Sequence, residues 1–261
     1  MKTKIIKSTP RKIRRQNSFI IFIMTASAIL ITFAFVRYCR VKLVTVRNNA
    51  EVDTGAILER ANIKTDKHLF SISLNKIETA VLGTSPYIKS VEVKRALPSE
   101  IVIEIEEYEA DFCVEILNHY YLVSDTLLIL EEIPESEAAS HPSALLTLPE
   151  INMDEKKFGI GKKIVFVEKE NDEFIAQTLK TVTQSFLADS MTSLSLHEEA
   201  NIIAVVNDRY TLRLGNKKEL AKKIAMCKES IDYLQENMPS VNGTLYAWST
   251  KQVTYEITGA S

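Results

Sequence analysis

Residues 86–107 read PYIKSVEVKRALPSEIVIEIEE. Ile88, Val91 and Val93 lead to Leu97-Pro98, and Ile101, Ile103 and Ile105 follow as every second residue. Period-two alternation places such residues on one side of a strand, so the stretch predicts a β-hairpin with one face buried. Upstream, Ser85-Pro86 breaks the chain, and before it Ser73 precedes Leu74, Ile77, Ala80 and Val81 at helical spacing. Asp53 or Thr54 offers a cap to an earlier helical run with Ile57, Leu58 and Ala61. Residues 41–46 (VKLVTV) read as a strand that turns at Asn48-Asn49. The order is β-α-α-β-β, assigned to a domain over 41–108.

Further toward the N-terminus, residues 18–36 (SFIIFIMTASAILITFAFV) carry no charge, and eleven of these nineteen are Ile, Leu, Phe or Val. As a helix they extend roughly 28 Å, close to the ~30 Å hydrocarbon core of a bilayer. A single membrane span follows. Ala26-Ser27-Ala28 resembles a signal-peptidase site, but cleavage there would leave 29–36 as an apolar new terminus, so a retained anchor is the stronger reading. Seven Lys/Arg precede the span in the basic tail 1–17, and Arg37, Arg40, Lys42 and Arg47 follow it. That bias predicts a cytoplasmic N-terminus and an outer body.

The net charge of −2 conceals a division: residues 1–50 hold eleven bases and no acid, and the remainder is strongly acidic. A basic surplus confined to one end, outside the folded body, argues against nucleic-acid binding. Seven glycines and no phosphate-loop pattern argue against a nucleotide site. Cys39, Cys113 and Cys227 are odd in number and widely spaced, which reads as incidental thiols.

Downstream, 121–125 (YLVSD) and 128–130 (LIL) read as a hairpin, and 131–149, with three prolines, as a loop. Residues 148–151 and 159–167 resume strand patterns. A helix carries Ile175, Leu179, Val182 and Phe186 on one face, capped by Asn171 or Asp172. Strands are expected over 193–196, 202–206 and 210–214. A second helix over 217–237 opens with Asn216 and Glu219 as a capping box, and Leu220, Ile224, Cys227, Ile231 and Leu234 form a stripe that packs on a sheet or seeds a coiled coil. Asn242-Gly243-Thr244 reads as a turn, also a glycosylation sequon, before final strands 245–248 and 252–257. The second domain is assigned to 109–258, with 259–261 a disordered end. The fold class is α+β: the span, the 41–108 domain, and a β-rich domain with two helices on a mostly antiparallel sheet.

The short strand after a span, the two helices and the hairpin of 86–107 resemble the POTRA domain of the bacterial cell division proteins FtsQ/DivIB. The 121–130 hairpin resembles the first hairpin of that family's second domain, without the glycine usual in its turn. The resemblance implies a noncatalytic scaffold of the divisome, held in the inner membrane with its domains in the periplasm at the septum. It implies that the C-terminal strand docks the small bitopic partner FtsB, which also pairs with FtsL. By position, Lys251, Gln252, Val253, Thr254 and Tyr255 form that docking strand.

The residues themselves favour association over catalysis. His68, His119, His141 and His197 are scattered, Cys-x-x-Cys and nucleophile motifs are missing, and paired acids such as Glu106-Glu107 read as solvated faces. No cofactor or metal is implied. A terminal strand at a sheet edge exposes backbone donors and acceptors that a partner strand pairs with, and Tyr246, Trp248 and Tyr255 beside it are anchors unless they fill the core. Proline at Val253 or Thr254 is expected to abolish such docking with the fold intact. Lys89 and Arg95 are expected as exposed residues flanking the first hairpin. The competing readings are an anchored cell-envelope hydrolase or transferase and a POTRA-type chaperone.

Overall fold

The computed structural model describes residues 11–48, 50–154 and 156–260. Residues 1–10 of the basic tail, Asn49 of the first turn and Ser261 lie outside the described residues. Helix α1 (Arg11–Tyr38) contains Ser18–Phe35, the one stretch among the described residues long and apolar enough to cross a membrane, and none of it is buried by protein. It fits a single-pass membrane protein. The chain forms two compact units: the first ends at Glu107, and the second comprises Ser85–Tyr87 with everything from Tyr108 onward.

The first unit runs β1 (Leu43–Arg47), α2 (Thr54–Ala61), a 3-10 turn (Leu69–Ser71), α3 (Leu74–Leu82), β2 (Ile88–Ala96) and β3 (Glu100–Glu107). Its sheet is ordered β1-β3-β2, with β1 parallel and β2 antiparallel to β3. A parallel pair needs a long crossover, which α2 and α3 supply while burying Ile57, Ala61, Ile77 and Val81. Asp53 is the cap of α2, its Oδ2 accepting from the Ala56 N–H at 2.9 Å. Because β3 is central, Val102 is buried as well as Ile101, Ile103 and Ile105, so the hairpin is covered on more than the one face expected.

Two polar residues of this unit differ from their reading. Arg95 is not an exposed flank: Nε donates to Leu69 O at 3.0 Å, Nη2 donates to Ile72 O at 2.7 Å, and the guanidinium lies over the Phe70 ring. Five N–H groups in a fixed fork let one arginine satisfy carbonyls on both sides of the 3-10 turn. Glu107 is not a mere solvated acid, because its carboxylate accepts from the backbone N–H groups of Ala50, Glu51 and Val52. Its neighbour Glu106 pairs with Lys89 at 2.6 Å on the surface.

The second unit runs β4 (Phe112–Ile116), β5 (His119–Val123), β6 (Ile129–Ile133), α4 (Glu135–Ala138), β7 (Ala144–Thr147), α5 (Glu170–Thr183), α6 (Leu187–Ser190), β8 (Met191–Ser195), β9 (Ile202–Val206), β10 (Tyr210–Gly215), α7 (Leu220–Asn237), β11 (Val241–Tyr246) and β12 (Thr254–Ala260). All nine strands join one sheet in the order β12-β11-β10-β9-β8-β7-β4-β5-β6. The β4/β7, β7/β8 and β10/β11 ladders are parallel and the other five antiparallel, a mostly antiparallel sheet. α5 and α7 bury Phe174, Ile175, Leu179, Val182, Ile224, Cys227, Ile231 and Leu234 in one core with Phe112, Leu146, Leu194, Tyr210 and Leu245. The heptad-like stripe of α7 is a core face.

Several local expectations are corrected here. The hairpin of 121–130 is the second of the unit, since β4 and β5 make the first around Leu117-Asn118. Its turn, lacking glycine, puts Leu127 at φ 59°, where Ser124 holds it: Leu127 N–H donates to Ser124 O, and the Leu128 N–H reaches Ser124 Oγ. Residues 131–149 are no plain loop, because β6, α4 and β7 occupy most of it. Residues 148–151 and 159–167 form no strands, only isolated bridges at Ile151–Phe166 and Leu128–Lys163. α5 begins at Glu170 rather than behind Asn171 or Asp172. The capping box of α7 does not form: Glu219 precedes the helix at φ 52°, and Asn216 Oδ1 instead accepts from Lys218 N–H and from the buried Lys223 ammonium. Lys223 also donates to Leu214 O and Asn216 O, both at 2.9 Å, and burial lowers its pKa. Asn242-Gly243-Thr244 is strand, not turn.

Candidate functional site

β12 is the outermost strand of the nine-stranded sheet among the described residues. It pairs antiparallel with β11 in the register Tyr246↔Thr254, Leu245↔Tyr255, Thr244↔Glu256 and Gly243↔Ile257, with a bulge at Asn242/Gly243. Residues 254–258 are all exposed. Directly opposed residues share a face, so Tyr255 and Ile257, 47% and 48% exposed, extend the face on which Leu245 is fully buried. The opposite face carries Thr254, Glu256 and Tyr246, whose hydroxyl donates to Glu256 Oε2 at 3.0 Å. That bond raises the Tyr246 phenol above its usual 10.

The strand's seat is built by β10 and β11. A Cβ on Gly243 would run into the Glu256 carbonyl, so glycine lets β12 approach. Arg209, in the β9–β10 turn, anchors the start of β11: Nε donates to Asn242 Oδ1 at 3.1 Å, and Nη2 donates to Val241 O at 3.0 Å and to Pro239 O. Trp248 lies past the end of β11, 70% exposed, with its ring edge-on to Tyr246 at 5.6 Å between centroids and its Cδ1 against Gly215. Glu219 joins the connection between the last two strands to the start of α7 through Thr250 Oγ1 at 3.2 Å.

Residues 39–108 match the FtsQ-type POTRA domain. Over 106 residues the chain is 30% identical to the cell division protein DivIB of Clostridium tetani, a match covering 40% of each chain. It is 23% identical over 158 residues to DivIB of Clostridium botulinum, covering 60% of each, and 28% identical over 85 residues to the cell division protein FtsQ of Syntrophotalea carbinolica, covering 33% of this chain and 30% of that one. Residues 39–108 are thus a POTRA domain of the FtsQ type, and the chain is similar to cell division proteins named DivIB and FtsQ. The matched stretches thus span 30–60% of the length of these curated FtsQ/DivIB relatives.

Of the residues expected to dock a partner, Thr254 and Tyr255 open β12, and Lys251 and Gln252 are exposed in the connection before it. Val253 is half-buried and packs against the core, so proline there would disturb packing as well as docking. Tyr246, Trp248 and Tyr255 do not fill the core; Tyr246 is half-buried and the others are exposed. The sequence reading places Glu256 and Ile257 in the last strand but not among the docking residues, and it misses Gly243 and Arg209 as the strand's supports. Only Gly243 carried a signal, a glycine among alternating residues, and it was absorbed by the turn reading.

The chemical inventory elsewhere is sparse. The three cysteines are buried, and burial pushes the Cys227 thiol up to about 12. Among the described residues no three metal-binding side chains gather. The nearest approach to an acid–base pair is His119 Nδ1 with Glu132 Oε1 at 2.7 Å, on a surface beside Tyr120 and Glu135.

Proposed function

We propose that this chain is a noncatalytic, single-pass scaffold of the bacterial divisome, with a cytoplasmic N-terminus and both folded units outside the cytoplasm at the septum. It recruits and couples division proteins, docking FtsB, and through it FtsL, by strand addition on β12. The observation that carries this reading is the outermost strand with every side chain from 254 to 258 exposed. A partner strand would extend the ladder through main-chain hydrogen bonds, with Tyr255, Ile257 and the Tyr246–Trp248 pair as anchors. Restriction to two dimensions raises effective concentration, so a modest edge suffices.

The test substitutes Tyr255 and Glu256 by proline, one at a time. N–H groups alternate in direction along a strand, so one proline removes a donor facing β11 and the other a donor facing outward. The outward variant is expected to keep its melting temperature and to lose roughly tenfold or more in affinity for the outer segment of FtsB, about 1.4 kcal/mol. Unchanged affinity in both variants would sink this docking mode.

A further inference from the structure

The junction between α1 and the first unit is closed by hydrogen bonds. The Cys39 N–H continues the helix to Phe35 O, Leu69 N–H donates to Cys39 O at 2.9 Å, and Val41 N–H donates to Lys67 O at 2.9 Å. Cys39 and Val41 are buried. The ring of Phe35, which ends the apolar run, lies 5.3 Å from the ring of Phe70. A residue packed on the last ring of a membrane span lies at the depth of the interface.

Topology brings a third segment to the same end. β1 starts here, β3 runs parallel to it and also starts here, and β2 therefore finishes here. Lys42 N–H donates to Ser99 O at 2.8 Å, placing the Leu97-Pro98 tip beside the start of β1. Leu43, Phe70 and Leu97 are 55%, 49% and 65% exposed at this end. Over 37–43, 64–70 and 95–99 the chain carries six Lys/Arg and a single acid, Asp66. Arg95 is engaged on carbonyls and half-buried; Arg40, Lys42 and Lys67 are exposed, with one Arg40 N–H group donating to Asp66 O at 3.0 Å.

We propose that this end of the POTRA unit is a lipid-contacting surface, with Phe70, Leu97 and Leu43 entering the interfacial layer and Arg40, Lys42 and Lys67 holding anionic headgroups. Aromatic and aliphatic tips ringed by cations suit that layer, where apolar groups meet acyl chains and positive charge meets phosphate. The bilayer is committed as the occupant because the span beside these residues requires it. The inference rests on the membrane reading of α1 and goes beyond the docking reading of β12.

The full chain is reconstituted in vesicles of phosphatidylethanolamine with phosphatidylglycerol, or of phosphatidylcholine alone, with Trp248→Phe to silence the native fluorophore. Phe70→Trp and Leu97→Trp report on this end. Leu82→Trp, at the far end of α3 and exposed, is the control, since the helix rises away from this end by roughly 12 Å between Leu74 and Leu82. With a spin label on the upper acyl chain, both reporters are expected to be quenched roughly threefold or more above the control, and the quenching falls in phosphatidylcholine or at high salt. Quenching equal to the control would overturn the proposal, and equal quenching in both lipids would overturn its anionic part. Release of the chain by alkaline extraction would overturn both this and the membrane reading, whereas failure of the β12 proline test leaves it standing.

Discussion

The two ends of the nine-stranded sheet are finished differently. At the β6 end the strand presents Glu131 and Glu132, α4 packs Ala138 against the Cys113–Leu122–Ile133 cluster, and residues 161–164 bond to its start through Gly161 N–H to Ile129 O and Ile129 N–H to Lys162 O. Charge, a short helix and a crossing segment are the means by which sheets blunt an edge against stray pairing. At the β12 end the strand runs out with Tyr255 and Ile257 exposed. A protein that guards one edge and leaves the other apolar has a use for the second, and that asymmetry underlies the docking proposal.

The largest effect is expected from Gly243→Val. A branched side chain there collides with the Glu256 carbonyl, so β12 should leave β11, and partner affinity should fall by roughly 100-fold. Hydrogen exchange should show protection lost in 254–260 and kept in β8–β10; a protected β12 would contradict the account. Next, Tyr255→Lys with Ile257→Lys gives β12 the defence that β6 already has. Affinity should drop roughly tenfold while stability changes by less than about 0.5 kcal/mol, measured by titration and denaturant melts.

Glu131→Val with Glu132→Val performs the reverse exchange. Self-association should rise in sedimentation runs, with partner affinity unchanged; a loss of partner binding would mean that β6 takes part in docking. The smallest effect concerns the Tyr246–Glu256 bond. A raised phenol pKa means that the fold favours the neutral form, so this contribution is complete below pH 10 and is lost as pH climbs through the raised value. The difference in tyrosinate absorbance between the native chain and Tyr246→Phe should give a midpoint above 10, moving back toward 10 in Glu256→Gln.

The first unit was legible because its signals are local. Alternation in 86–107, a pause at Leu97-Pro98 and two short amphipathic runs specify the elements, and the parallel β1–β3 ladder follows from their order. The second unit was less so. β7 is four residues long and joins the sheet through parallel ladders to β4 and β8, contacts distant in sequence that leave no periodic mark. Asn216 looked like a helix cap, yet the buried Lys223 ammonium claims its side chain, and a charge drawn inside needs that partner more than the helix needs a capping box. The edge was legible from its aromatics and its place after α7, but its true span was shifted, because the Asn242-Gly243 pair serves a bulge rather than a turn.

α7 carries the chain from β10 to β11, and its apolar stripe is buried in the core. Pulling β11 away would drag that helix out of its bed, whereas β12 is joined to the rest by one ladder alone. Under a pull on the end of the chain, rupture should therefore begin at the last ladder and spare the rest, so that β12 would part first and re-form once tension is released.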